Sequence, residues 1–180
     1  IEAFAGYLAR VRPGGKVLVE ETVPKAVLSS LRNDVEILTV GSGLWSDIRA
    51  VEVVEQLGCF SFDPVLLGER LPRIHLQLAG RHNMFNAMFA LGLAYIAGAD
   101  LPGACQGISE FVGVRRRFEV HAGPAGGALV NDYAHHPAEI EAVLGAARRR
   151  FPGQRLVVAF QPHQFQRTLL LLDDFAEAMA

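Results

Sequence analysis

NDYAHHPAEIEAVLGAARRRFPGQRLVVAF, residues 131–160, decides the fold class. Pro137 suits the first turn of a helix, and Glu139 and Glu141 sit near the positive end of its dipole. Arg148, Arg149 and Arg150 sit near the negative end, so the spacing predicts a helix over 137–150 with an apolar stripe of Ile140, Val143, Leu144 and Ala147. RLVVAF (155–160) is a continuous apolar run bounded by turn residues, as expected of a strand buried on both faces of a parallel sheet. Helix followed by buried strand makes this an α/β protein. The next residues, QPHQFQR, are then expected beyond the carboxyl end of a strand, where open α/β sheets bind ligands.

Upstream, RFEVHAG and GALVNDY flank a turn with Gly123, Gly126 and Gly127 and predict a hairpin. GVRRR (113–117) is a charged connection at a change of character, and LPGACQGISEF (101–111) reads as a short helix. A helix from about Asn83 to Ala97 is apolar nearly all round, so burial on most sides is expected. In the first third, KVLVE (16–20) and VEILTV (35–40) read as strands, with a helix from Pro24 to about Asn33 between them. Two β-rich stretches between 47 and 62, with RIHLQLAG (73–80), suggest a small antiparallel addition.

Composition limits the function classes. Of 180 residues, 17 are Lys or Arg and 19 are Asp or Glu, giving a net charge of −2, with a pI near 6.3. A general nucleic-acid binder is usually strongly basic over at least one domain, so that class is set aside. Half the residues are apolar (51%), enough for a real core. Cys59 and Cys105 fit neither a disulfide framework nor a zinc site, which favours a reducing, cytoplasmic setting. No secretory leader is readable, and no apolar run approaches the ~18 to 20 residues of a membrane span. Apolar positions spaced for one helical face (Ile1, Phe4, Ala5, Leu8; then Leu171, Leu172, Phe175, Met179) run up to both ends, so a segment of a longer protein is expected.

Four clusters carry candidate chemistry. In GRHNMFN (80–86), Asn83 and Asn86 are three apart at a helix entrance and face one way. Two amides there can read the edge of a base or ribose, although a helix cap explains the same spacing. Arg115, Arg116 and Arg117 precede Phe118-Glu119; arginine suits phosphate or carboxylate, and solvated charge is the plainer reading. In NDYAHHP (131–137), Asp132 can accept from ribose hydroxyls or orient an Arg, whereas adjacent His135 and His136 do not converge naturally on one metal ion. In FQPHQFQRT (160–168), His163 and Arg167 are four apart and suited to an anionic substrate.

GRHNMFNAMFA, GVRRRFE, NDYAHHPAEI and FQPHQFQRT, in this order, resemble the Mur ligase family. DYAHHP followed by FQPH is most similar to its alanine-adding branch; the branch that recycles whole muropeptides is the alternative. By resemblance, residues 1–112 are the later part of a P-loop-type central ATPase domain, and 113–180 the first part of a Rossmann-like C-terminal domain. The resemblance implies an ATP-dependent, Mg²⁺-requiring ligase joining L-alanine to the muramyl carboxylate of UDP-N-acetylmuramate. It assigns Asn83 and Asn86 to the adenine nucleotide, Arg117 to phosphate, and Asp132 to the ribose and hinge. Arg117 and Asp132 are the catalytic candidates, and His163 and Arg167 approach the amino acid and muramyl carboxylate. His82, Tyr133, His135 and His136 lie in the same motifs and are further candidates. A GTHGKT-like phosphate loop is absent from this sequence and the Mg²⁺ ligands are expected outside it, so this segment alone is expected to be inactive. Relatives often have DDY where Asn131-Asp132-Tyr133 stands, and Arg where Gln164 stands, which leaves Arg167 as the better carboxylate contact. A non-catalytic nucleotide- or substrate-sensing module is the reading from another class.

Overall fold

Val17, Leu18 and Val19 form a short strand, and the structure, a computed structural model describing residues 2–123 and 126–180, pairs it in a mixed sheet. Ile1, expected in the first helical face, lies outside the described residues. Helix α1 spans Glu2–Leu8 and strand β1 Lys16–Glu20. β2 (Glu36–Gly41) runs parallel to β1, with Lys16 opposite Glu36 and Glu20 opposite Val40. β3 (Ile48–Gln56) joins β2 in parallel at Val40–Ile48 and Gly41–Arg49. β4 (Cys59–Leu66) neighbours β3, β5 (Glu69–Arg70) pairs antiparallel with β4, and β6 (Ile74–Ala79) also pairs with β4. The β3–β4 turn is Leu57-Gly58 with φ +49° and +78°, the two-residue geometry that suits a tight hairpin.

Helix α2 covers Lys25–Leu28 only, where a helix to about Asn33 was expected. Ser29 and Ser30 explain the early stop. Their hydroxyls donate to the carbonyls of Ala26 (2.8 Å) and Val27 (3.0 Å), competing with the helical ladder.

Two compact units emerge. The first comprises residues 1–53, 61–75 and 85–109. Its core includes Leu38, Val40, Ile48, Phe62, Met88 and Leu91. Gly92 lets helix α3 (Arg81–Ile96) lie close on the sheet: a Cβ there would stand 2.6 Å from Ile48 Cδ1 and 2.9 Å from Leu18 Cδ2. α3 is buried along one stripe (Met84, Ala87, Met88, Leu91), not on most sides as expected; Asn86, Ala90 and Leu93 are exposed. With apolar residues all round, composition names no inward face, and the sheet beneath Gly92 decides it. α4 (Leu101–Glu110) follows, with Cys105 buried.

The second unit comprises residues 54–60, 76–84 and 110–180. β7 (Glu119–Ala122) and β8 (Ala128–Asn131) form the expected antiparallel hairpin. α5 (Pro137–Arg150) has the expected bounds and packs two ways. Ala146 and Ala147 meet Ala79 and Phe118, with Cys59, Val130 and Val143 around them. Ile140 and Leu144 meet Phe175 of α7 (Leu172–Met179), and Phe160 lies 5.5 Å from the Phe175 ring. α6 (Phe165–Leu170) precedes α7.

Residues 155–160 correct the expectation of a strand buried on both faces. The run has no regular secondary structure and forms no strand with any described residue, and Val157 is 73% exposed. Apolar, β-prone residues become a strand only where a neighbour supplies the hydrogen-bond ladder. QPHQFQR therefore follows an unpaired segment rather than the end of a sheet strand.

Candidate functional site

The candidate residues of the second unit gather around two short segments, 113–118 and 131–139. The first is a tight turn. Gly113 has φ +99°, and the non-glycine residues Arg116 and Phe118 have φ +61° and +48°. L-residues occupy this left-handed region at a steric cost, so other contacts must hold them there. Phe118 is buried in the core, and its N–H donates to Asp132 Oδ2 at 2.7 Å. Ala134 N–H donates to Asp132 Oδ1 at 2.6 Å. One half-buried carboxylate thus ties the turn to the start of the second segment. Arg117, between the two left-handed residues, is exposed, and its guanidinium has no hydrogen bond or ion pair among the described residues. A charged group held on a fixed turn without a partner of its own can receive an anion.

Tyr133 continues the contact: its N–H donates to the Arg116 carbonyl at 2.8 Å, and the Arg116 guanidinium lies 4.6 Å from its ring centroid. His135 Nδ1 stands 2.9 Å from the Tyr133 carbonyl oxygen. A carbonyl only accepts, so Nδ1 carries a proton and donates it to that oxygen. The His163 ring lies 6.1 Å from Tyr133 and 5.9 Å from His135, and Tyr133 lies 5.0 Å from His135. Three rings thus cluster near one another. Arg167 is half-buried on α6.

Glu139 orders the helix entrance. Its Oε2 accepts from the N–H of His135 (2.9 Å) and His136 (3.2 Å), reaching back over the first turn of α5. Burial raises its pKa, but those hydrogen bonds, with the charges of His135 and Arg117, outweigh burial and hold it below its ordinary value. His136 is the helix N-cap and is exposed.

At the entrance of α3, Gly80 has φ +107°, and a Cβ there would stand 2.5 Å from His82 Cε1. Only glycine leaves room for the imidazole. Burial depresses the His82 pKa; Asp132 opposes the shift, and Arg149 and Arg117 reinforce it. Asn83 donates from Nδ2 to the Ala79 carbonyl at 2.8 Å, fastening the helix to the end of β6; an amide donor satisfies none of the first-turn N–H groups, so this bond is not a helix cap. Asn86 is exposed one turn later, in the first unit. Among the described residues no group of three His, Cys, Asp or Glu is placed to hold a metal ion.

Sequence reasoning missed Arg116 as a ring contact and the Asp132 clamp on two backbone amides. The reach-back of Glu139, read from the sequence only as a charge at the helix dipole, could have been found from its place three residues after the cap; nothing local announces the other two.

The Mur ligase, glutamate ligase domain model matches residues 116–180. A UDP-N-acetylmuramate–L-alanine ligase from Oleidesulfovibrio alaskensis is 46% identical over 179 residues, covering 98% of this chain and 38% of the relative. One from Caldanaerobacter subterraneus subsp. tengcongensis is 42% identical over 143 residues, covering 79% of this chain and 31% of the relative. The chain belongs to the Mur ligase family. This Mur ligase chain thus spans about a third of the length of the curated relatives it matches. Two solved structures share its α/β fold. UDP-N-acetylmuramate-alanine ligase from Thermotoga maritima has a TM-score of 0.66 at 24% identity, covering 86% of this chain and 38% of that one. A murein peptide ligase from Psychrobacter arcticus has 0.69 at 22%, covering 91% and 34%. The matched residues 116–180 of the Mur ligase chain hold Arg117, Asp132, the three clustered rings and Arg167.

Proposed function

We propose that the protein containing this chain is an ATP-dependent ligase that joins L-alanine to the muramyl carboxylate of UDP-N-acetylmuramate in peptidoglycan synthesis. The observation that carries the reading is identity across almost the whole chain: 46% over 98% of its residues to a relative bearing that activity in its name. The boundary between its central and C-terminal portions falls at 112–113 in this reading, and the enzyme works in the cytoplasm. No helix of the described residues is long and apolar enough to cross a membrane.

A carboxylate is a poor electrophile until one oxygen becomes a good leaving group, which is why ATP is required. ATP supplies the phosphoryl group that makes the muramyl carboxylate an acyl phosphate, and the amine of L-alanine displaces phosphate. Within this chain, Arg117 receives phosphate charge, which suits a guanidinium with no hydrogen bond or ion pair among the described residues. Asp132 acts through the turn it clamps, and its remaining lone pairs are open to ribose hydroxyls. Asn83 and Asn86 lie on the nucleotide side. His163 and Arg167 face the amino-acid and muramyl carboxylates, with Tyr133 and His135 beside His163. His136 caps α5 within the second segment, and His82 lies in the first turn of α3. Among the described residues no cluster is fit to hold Mg²⁺, so no step is assigned to ion ligands there.

The test is ADP release by the full-length protein with ATP and Mg²⁺, adding UDP-N-acetylmuramate, L-alanine, glycine, L-serine or a muropeptide singly and together. Release requires both the UDP-sugar and L-alanine. Release driven by the muropeptide but not by L-alanine contradicts the assignment and favours the recycling branch; no release with any acceptor favours a sensing module.

A further inference from the structure

Arg116 neighbours the phosphate-facing arginine in sequence and the ring cluster in space. Its N–H donates to Glu119 Oε2 at 2.9 Å, and its carbonyl accepts from Tyr133 N–H at 2.8 Å. Its guanidinium covers the Tyr133 ring at 4.6 Å. The same ring is the common neighbour of His135, tilted by 57° at 5.0 Å, and His163, edge-on at 71° and 6.1 Å. With φ +61°, Arg116 holds a conformation that turns the chain directly before Arg117. One residue is thus bound to both sets of groups: by peptide bond to Arg117, and by main chain and side chain to Tyr133.

We propose that Arg116 is a positioning residue: its guanidinium fixes the Tyr133 ring, and through it His135 and His163, at a set spacing from Arg117. The physical ground is the attraction between a planar cation and the negative face of an aromatic ring, reinforced by stacking that a lysine ammonium does not reproduce. A ligase needs such spacing. The amine and the activated carboxyl must reach each other within about 3 to 3.5 Å, so groups that hold the amino acid must be registered against groups that hold phosphate. The effect on catalysis rests on the alanine-ligase reading above; the effect on ring placement does not.

The test uses the full-length protein with Arg116→Asn and Arg116→Lys. Asparagine tolerates the left-handed region, so Arg116→Asn removes the guanidinium while sparing the turn. The first readout is the Cε1–H NMR resonances of His135 and His163, assigned with His135→Gln and His163→Gln, which sense the Tyr133 ring current. The second is KM for L-alanine beside KM for ATP. Arg116→Asn moves both resonances and raises KM for L-alanine roughly fivefold or more, with KM for ATP within about twofold; Arg116→Lys lies between it and wild type. Tyr133→Leu moves the same resonances, and in the double variant with Arg116→Asn the two effects are not additive. Unmoved resonances in Arg116→Asn, or additive effects in the double variant, overturn the proposal. Should Arg116→Asn fail to fold, Arg116→Lys and Tyr133→Leu carry the test: wild-type resonances in Arg116→Lys, or in Tyr133→Leu, overturn it equally. A wild-type protein that does not use L-alanine overturns the substrate reading, while the resonances still decide the role of Arg116.

Discussion

Asp132→Asn distinguishes a structural clamp from a simple ribose contact. The two carboxylate oxygens accept from Phe118 N–H at 2.7 Å and Ala134 N–H at 2.6 Å. An amide of the same shape keeps one oxygen and turns an NH₂ donor toward the other N–H, whichever way it is flipped. One hydrogen bond is lost, a donor faces a donor, and the surviving bond loses its charge assistance. A charge-assisted bond contributes about 1.5–3 kcal/mol, and the site is half-buried, so the pair together is worth about 2–4 kcal/mol. Amide hydrogen exchange across 116–136 is the assay, because it reads the local opening directly. That loss corresponds to a drop in protection of Phe118 and Ala134 of about 30-fold or more. The left-handed Phe118 is expected to relax with it, and ADP release should fall because Arg117 loses its fixed turn. Wild-type protection of both amides in Asp132→Asn would refute the reasoning, whatever happens to activity.

Gly80→Ala forces a Cβ to 2.5 Å from the His82 ring at φ +107°, and should destabilise the protein by about 1–3 kcal/mol in denaturant unfolding, with the His82 resonance displaced. Glu139 has a folded pKa below its ordinary 4.5, so its contribution is present above pH 4.5 and is lost as pH falls through the lower folded value; Glu139→Gln should flatten that part of the pH–stability curve. His82 should titrate below its ordinary 6.5, and Arg149→Ala, by removing a positive charge, should move the titration seen by NMR upward. Gly92→Val overpacks α3 against Ile48 and Leu18 and should cost about 1–3 kcal/mol in the same unfolding measurement.

Elements whose signals are local were legible. Pro137, Glu139 and the Arg148–Arg150 run fixed both ends of α5 because dipole and proline effects act within a turn. The β7–β8 hairpin followed from its glycines, and β1 from a bounded apolar run. RLVVAF was misread because strand formation depends on a neighbour that local sequence does not contain. The inward face of α3 was hidden for a related reason: a helix apolar on all sides is oriented by what it packs on. At the candidate site, Arg117, Asp132 and His163 are readable as residue types in motifs, but the contacts they make are not. Asp132 became a clamp through two backbone amides, and Asn83 proved to be tied to Ala79, contacts that require knowing which chain segments return to each other.

Arg117→Ala tests the central claim most directly, since this guanidinium has no hydrogen bond or ion pair among the described residues to lose. In the full-length protein, ADP release dependent on UDP-N-acetylmuramate and L-alanine should disappear, while the unfolding temperature stays within about 1–2 °C of wild type. Undiminished release from a folded Arg117→Ala protein would contradict the account.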